Sequence, residues 1–309
     1  MATRKPAPAK EKKIVISATV TPLKADGSLD KPGIKKILER NIKHGLDGVF
    51  LLGSMGEWGS FDNKTKEELV DVTCATVKKR MQILAGINAT SLPLSLQLMK
   101  DYAKYDFDCY VFMSPARTSS LDPVKSILTI LDKADRPVYY YYCPPNNNIN
   151  LSLDQFATIM AHPNLKGIKN SSSNMWLRKE LIWMKKERGF KTLIMEGQEW
   201  AVDEALMVGF DGMVCGMGAL ASKVMVGIAR AVDAGNYDEA MRLQRVFIGI
   251  FHGVYGLNIQ NCWNGQKYAL QKLGLISSPF TLAQEMDSLD AAAKKRVEKC
   301  LKEYKAELD

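Results

Sequence analysis

The sequence predicts a (β/α)8 barrel, the TIM-barrel architecture, followed by a C-terminal helical extension. Eight short apolar runs of strand length alternate with amphipathic stretches of helical length, with no second composition regime between them. No GxGxxG or GxxxxGK[ST] pattern follows any of the runs, which removes the usual signature of a doubly wound open sheet. Beyond residue 218 the chain carries more helical pattern than an eighth barrel helix needs.

The apolar runs place strands at 14–20, 48–52, 82–85, 109–113, 137–142, 165–169, 192–195 and 212–215. Between them, helices are expected at 31–44, 64–80, 92–105, 122–134, 152–161 and 175–188. Four more follow at 222–234, 238–255, 262–273 and 291–308. The chain thus divides into a basic tail at 1–13, a barrel at 14–217, and the final barrel helix with its extension at 218–309. An extension of that size packs on the barrel or serves between subunits. No internal repeat is present.

Composition narrows the partners. The 309 residues are 46% hydrophobic, enough for one large core. No apolar run reaches membrane-spanning length and no cleavable signal pattern opens the chain, so a cytoplasmic protein without a membrane partner is expected. The formal charge is +8, but residues 1–13 hold a net +4 of it, in a Pro/Ala/Lys-rich segment with the composition of disorder. The rest is spread over helix surfaces without an aromatic-interleaved basic stripe, so no nucleic-acid partner is expected. The six cysteines include no CxxC pair, which favours reduced thiols over disulfides or zinc. His44, His162 and His252 have no ligand spacing, and no metal or other cofactor is predicted.

In a barrel the chemistry gathers where strands end and βα loops begin. Lys169 ends the sixth run, where burial would disfavour its charged form and leave a neutral amine available as a nucleophile. A lysine just past a strand end, with its ammonium in water, is the simpler alternative. The second run leads into Gly53-Ser-Met-Gly-Glu57, whose glycines let backbone N–H groups turn inward beside the Ser54 hydroxyl, a cradle for a carboxylate. Glu57 is expected to open the next helix and favour its N-terminus. Four tyrosines at 139–142 alternate sides of a strand. By parity, Tyr139 and Tyr141 face the interior and Tyr140 and Tyr142 the helix layer, and a phenol beside an amine can relay protons.

These segments resemble motifs of the dihydrodipicolinate synthase/N-acetylneuraminate lyase superfamily. Gly53-Ser-Met-Gly-Glu57 resembles its G-[ST]-T-G-E loop, Tyr141-Tyr-Cys-Pro144 its Y-N-x-P segment, and Gly167-Ile-Lys-Asn-Ser-Ser172 its G-[IVL]-K-[DE]-[ST]-[ST] strand. The resemblance runs from about Ile14 to Leu275. It implies a class I aldolase or lyase: a homotetramer, without metal, acting on a small 2-oxo acid through an imine. Lys169 would form the imine and Tyr141 would be the acid/base phenol. Ser54 and the backbone of Met55 would hold the carboxylate of pyruvate, and the Val214 carbonyl would accept a hydrogen bond near the imine. Gly197, Gln198 and Glu199 would meet the substrate's hydroxylated tail.

Departures refine the expectation. Met55 stands where relatives carry a second hydroxyl, and Asn146 where the synthases carry an arginine for the second substrate's carboxylate. A relay tyrosine supplied by a neighbouring subunit is missing from Ser114-Pro-Ala-Arg117, where Arg117 is either an anion-binding group in its place or a solvated loop arginine. Trp200 and Gly216 replace polar residues of the lyase tail site, and Trp58 and Trp200 either wall the pocket or pack beneath the loops. The expected function is formation or cleavage of a 2-oxo acid, such as a 2-keto-3-deoxy sugar acid, with pyruvate as the keto component. Dehydration of such a sugar acid, a synthase-like condensation, and a non-catalytic barrel that binds a keto acid are the alternatives.

Overall fold

The computed structural model describes residues 12–116 and 122–309. Eight parallel strands close into a barrel in chain order. They are β1 Ile14–Ala18, β2 Gly48–Leu51, β3 Gln82–Gly86, β4 Cys109–Phe112, β5 Val138–Tyr142, β6 Leu165–Asn170, β7 Leu193–Glu196 and β8 Gly212–Cys215. Closure comes from β1 pairing with β8, Ile14 opposite Gly212 through Ser17 opposite Cys215.

The helices of the barrel layer are α1 Lys31–Lys43, α2 Asn63–Val77, α3 Leu92–Tyr102, α4 Pro123–Lys133, the single turn α5 Pro144–Asn147, α6 Leu153–Met160, α7 Met175–Arg188, α8 Val202–Val208 and α9 Gly218–Asp233. Many begin at a side chain that accepts from the first turn: Asp30 from Gly33, Asp62 from Thr65, Asp122 from Lys125 and Asn174 from Leu177. Ser152 and Gln155 form a reciprocal capping box at the head of α6. The extension contributes α10 Tyr237–Tyr255, α11 Asn264–Lys272, α12 Ala291–Glu303 and α13 Lys305–Leu308.

Several boundaries depart from the sequence reading, most by one to four residues. The first strand stops at Ala18, and the expected helix 291–308 breaks at Tyr304 into α12 and α13. The sixth strand runs one residue past Lys169, so that lysine is held in the ladder opposite Tyr141 on one side and Met195 on the other. Helix α8, unpredicted, is seven residues long, below the window in which a 3.6-residue period is legible.

The barrel separates two apolar layers. Ile16, Phe50, Leu84, Val111, Tyr139, Tyr141, Met195 and Val214 fill the interior, while Tyr140 and Tyr142 belong to the larger layer under the helices. Tyr142 meets Phe156 of α6 edge-on, with centroids 5.0 Å apart. The parity argument for strand five therefore holds. At the N-terminal ends of the strands, Lys12 pairs with Asp47 at 2.8 Å and the Lys13 N–H donates to Asp233 at 3.0 Å. These two members of the basic tail are tied to the barrel, and residues 1–11 lie outside the described residues. All six cysteines are free thiols. Among the described residues no helix is long and apolar enough to cross a membrane, and no three His, Cys, Asp or Glu side chains gather as metal ligands.

Candidate active site

A cavity of about 350 Å³ opens at the C-terminal ends of β2, β5, β6, β7 and β8. A hollow of about 400 Å³ opens at the opposite end of the barrel, lined in part by Lys12, Lys186, Asp211 and Asp233. There Asp211 is held by Lys185 at 2.6 Å and Asp233 by Arg230 at 2.9 Å, so its carboxylates are committed to structural pairs. The first cavity is the one at which the βα loops converge, and it is the candidate site.

Lys169 and Tyr141 face this space from adjacent strands, opposite one another in register. The Lys169 ammonium lies 4.1 Å from the centroid of the Tyr141 ring and 5.2 Å from that of Phe50, which itself meets Tyr141 edge-on. Lys169 is 6% exposed, so the water-exposed alternative does not describe it. Burial holds its pKa below the ordinary 10.5, with Glu199 the largest of the opposing charges. Burial acts the other way on Tyr141, keeping the phenol protonated far above neutral pH. The pair thus presents an amine less basic than a free lysine beside a phenol less acidic than a free tyrosine.

The loop after β2 reaches this geometry by a route other than the one its glycines suggest. The left-handed residues are Leu52 and Glu57, each at φ +58°, while Gly53 and Gly56 lie outside that region. Gly53 is needed for space: a Cβ there would meet Phe50 at 2.6 Å. Ser54 sits at the centre of a small network, its hydroxyl 3.4 Å from the Tyr141 hydroxyl and accepting from Asn146 Nδ2 at 2.9 Å. Its carbonyl accepts from Trp263 Nε1 at 3.0 Å.

Glu57 does not open α2, which starts at Asn63 behind its own cap at Asp62. It turns inward instead and forms an ion pair with Lys267 of α11 in which both side chains are fully buried. The same carboxylate accepts from Thr281 Oγ1 at 2.7 Å and from the N–H groups of Leu282 and Ala283 at 2.8 and 3.1 Å. The loop is therefore fastened to the C-terminal extension rather than to the helix that follows it.

On the far side of Lys169, Gly197 has no room for a side chain: a Cβ would meet Ser171 Oγ at 2.0 Å and Lys169 Cε at 3.0 Å. Gln198 lines the cavity, but its amide donates to Ser171 O at 2.9 Å and Ser173 Oγ at 2.8 Å. Its backbone N–H donates to Glu196, which burial pushes up to about 7 against the opposing charge of Arg178 at 2.8 Å. Glu199 is buried, accepts from the Gly216 N–H at 2.6 Å, and is raised above the usual carboxylate range by that burial.

Of the residues anticipated from sequence, Lys169, Tyr141, Ser54, Met55, Asn146, Gly197, Gln198 and Glu199 converge on one cavity. Val214 is buried inside the barrel and does not line it, and Arg117 lies outside the described residues. Trp200 walls the cavity and Trp58 lines a neighbouring hollow with Ser54 and Asn146. The sequence reading missed Phe251, Tyr255, Ile259, Cys262 and Trp263, all from the extension. Their only signal was the excess of helix after residue 218, which did not say that this helix would complete the pocket.

Comparison with known proteins fits this arrangement. The model of the dihydrodipicolinate synthetase family matches residues 11–304. A 4-hydroxy-tetrahydrodipicolinate synthase from Methanosphaerula palustris is 27% identical over 281 residues, covering 90% of this chain and 94% of its own. An N-acetylneuraminate lyase from Escherichia coli is 25% identical over 234 residues, covering 74% and 77%. The solved dihydrodipicolinate synthase of Bacteroides thetaiotaomicron shares the fold, with a TM-score of 0.86 at 24% identity over 96% of this chain and 99% of that one.

Proposed function

Since the chain belongs to the dihydrodipicolinate synthetase family, whose members make it an aldolase/lyase, we propose that it works through an imine on Lys169 with pyruvate as the keto component. The observation that carries this reading is the buried Lys169 amine beside the Tyr141 phenol in a cavity at the strand ends.

The steps follow from the geometry. The neutral amine of Lys169 attacks C2 of the 2-oxo acid, and the ketone oxygen leaves as water after taking protons. Tyr141 is the donor beside that oxygen, and its hydroxyl lies 3.4 Å from Ser54 Oγ, which passes protons toward the cavity. The resulting iminium is a cation held over the rings of Tyr141 and Phe50. It draws electrons from C3: loss of a C3 proton gives an enamine, whose C3 bonds to an aldehyde carbon while the aldehyde oxygen takes a proton. The reverse sequence cleaves the same bond, and water then frees the amine. Ser54 and the Met55 backbone hold the carboxylate, so charge moves between fixed dipoles instead of mobile water.

Assembly into a homotetramer is part of this reading. Trp176 and Trp183 stand seven residues apart on one face of α7, each more than half exposed, a surface suited to a subunit contact. Sedimentation at micromolar concentration checks it, and a monomer there rules it out. For the chemistry, borohydride reduction in the presence of pyruvate is expected to add a pyruvate-derived mass to the peptide holding Lys169. Label on another lysine, or none at saturating pyruvate, overturns the reading.

A further inference from the structure

The cavity that Lys169 lines carries a second chemistry in its walls. Trp200, Phe251 and Tyr255 form a continuous aromatic wall there. Trp200 meets Phe251 edge-on at 5.9 Å between centroids, and Phe251 meets Tyr255 at 4.7 Å. Among the described residues Lys169 is the sole cationic side chain lining the space, so a second anionic group on a substrate meets no further counter-charge from them. The polar side offers little more to a chain of hydroxyls. The Gln198 amide is engaged by Ser171 and Ser173, the Asn146 amide by Ser54, and one Glu199 oxygen by Gly216.

The mouth points the same way. Trp200 is 42% exposed and Ile259 is 39% exposed, and Ile259 is a β-branched residue in the left-handed region at φ +59°. That conformation is costly for such a side chain and persists where the surroundings impose it, commonly at ligand-binding positions. Ile259 and Trp200 both line the cavity, each with an apolar side chain partly open to solvent.

We propose that the aldehyde partner is an uncharged aromatic aldehyde whose ring stacks on the Trp200–Phe251 wall, not a polyhydroxylated or anionic one. This rests on the Schiff-base reading above and specifies its second substrate. The enamine C3 bonds to the aldehyde carbon, the carbonyl π pair moves to oxygen and takes a proton, and water hydrolyses the imine, so no other co-reactant is consumed.

The test has two arms. Borohydride trapping with pyruvate first establishes whether Lys169 carries the imine; if it does not, the underlying reading fails. With the label in place, pyruvate condensation is measured with benzaldehyde, D-glyceraldehyde and D-glyceraldehyde 3-phosphate. Expected is a kcat/KM for benzaldehyde at least about tenfold above either of the others. In Trp200→Ala that preference is expected to fall several-fold, because stacking on the wall is lost. A labelled enzyme that prefers either glyceraldehyde, or that turns over none of the three, overturns the aromatic assignment while leaving the imine standing. An unchanged preference in Trp200→Ala overturns the role of the wall.

Discussion

Replacing Lys267 with methionine probes how the loop that carries Ser54 and Met55 is held. Lys267 and Glu57 form an ion pair with no exposure of either side chain. Burial lowers the lysine's pKa and the Glu57 charge opposes that shift, so each charge is tolerated because of the other. Removing one member leaves the Glu57 carboxylate in a dry site, a situation that costs about 3–5 kcal/mol. Three further donors, from Thr281, Leu282 and Ala283, remain on the carboxylate and place the expected loss toward the lower end of that range. At about 2–4 °C per kcal/mol, Lys267→Met is expected to lower Tm by roughly 6–15 °C. The urea midpoint should fall with it. Adding Glu57→Gln removes the stranded charge and should recover about 1–2 kcal/mol. The surviving protein should show a raised KM for pyruvate, since Ser54 and Met55 lie on the loop that Glu57 anchors. A single variant within about 1 kcal/mol of the parent, or a double variant less stable than the single, would refute the idea that this pair fastens the loop.

Tyr141→Phe removes only a phenolic oxygen and should slow turnover by roughly 10²–10⁴-fold with little loss of stability. Tyr142→Phe, on the helix side of β5, should change turnover much less, and equal losses in steady-state assays would contradict the proton relay. Because the folded-state pKa of Lys169 lies below 10.5, the folded protein binds fewer protons than the unfolded chain between those two values, and burial of this lysine costs stability at neutral pH. Lys169→Met should therefore raise Tm at pH 7, and its advantage should shrink as pH approaches 10.5; thermal scans across pH that show the opposite slope contradict the assignment. The rate of borohydride-trapped imine formation should rise with pH along a limb centred below 10.5. Aspartate semialdehyde should condense with pyruvate on the order of a hundredfold more slowly than in an enzyme with an arginine at position 146, since a bidentate carboxylate contact is absent; coupled-assay rates comparable to such an enzyme would show that another group supplies it.

The barrel was legible in the chain because each strand is a local apolar run and each run sits where its pairing partner needs it. The alternation of Tyr139 to Tyr142 across β5 was legible for the same reason, since a period of two needs no knowledge of the rest of the molecule. Lys169, Tyr141 and Ser54 could be read from motif spacing, and they do converge. What stayed hidden depends on partners far along the chain. Glu57 looked like a helix-opening carboxylate because Lys267, which defines its environment, stands 210 residues away. The aromatic wall escaped because Phe251 and Tyr255 read as ordinary apolar positions on a helix, and only the docking of α10 turns them toward the strand ends. Helix α8 was too short to announce itself.

That long-range fastening sets an order of maturation during synthesis. The eight strands are all available once Cys215 has been made, yet the partners of Glu57 arrive only with Lys267 and with Thr281 through Ala283. Trp263, which steadies the carbonyl of Ser54, also belongs to this last portion. A nascent barrel thus carries Lys169 before it carries the partners that fasten the loop of Ser54 and Met55. The fastening belongs to the final sixth of the polypeptide: a chain ended near residue 260 would keep every strand of the barrel and still lack the groups that hold the loop of Ser54 and Glu57 in place.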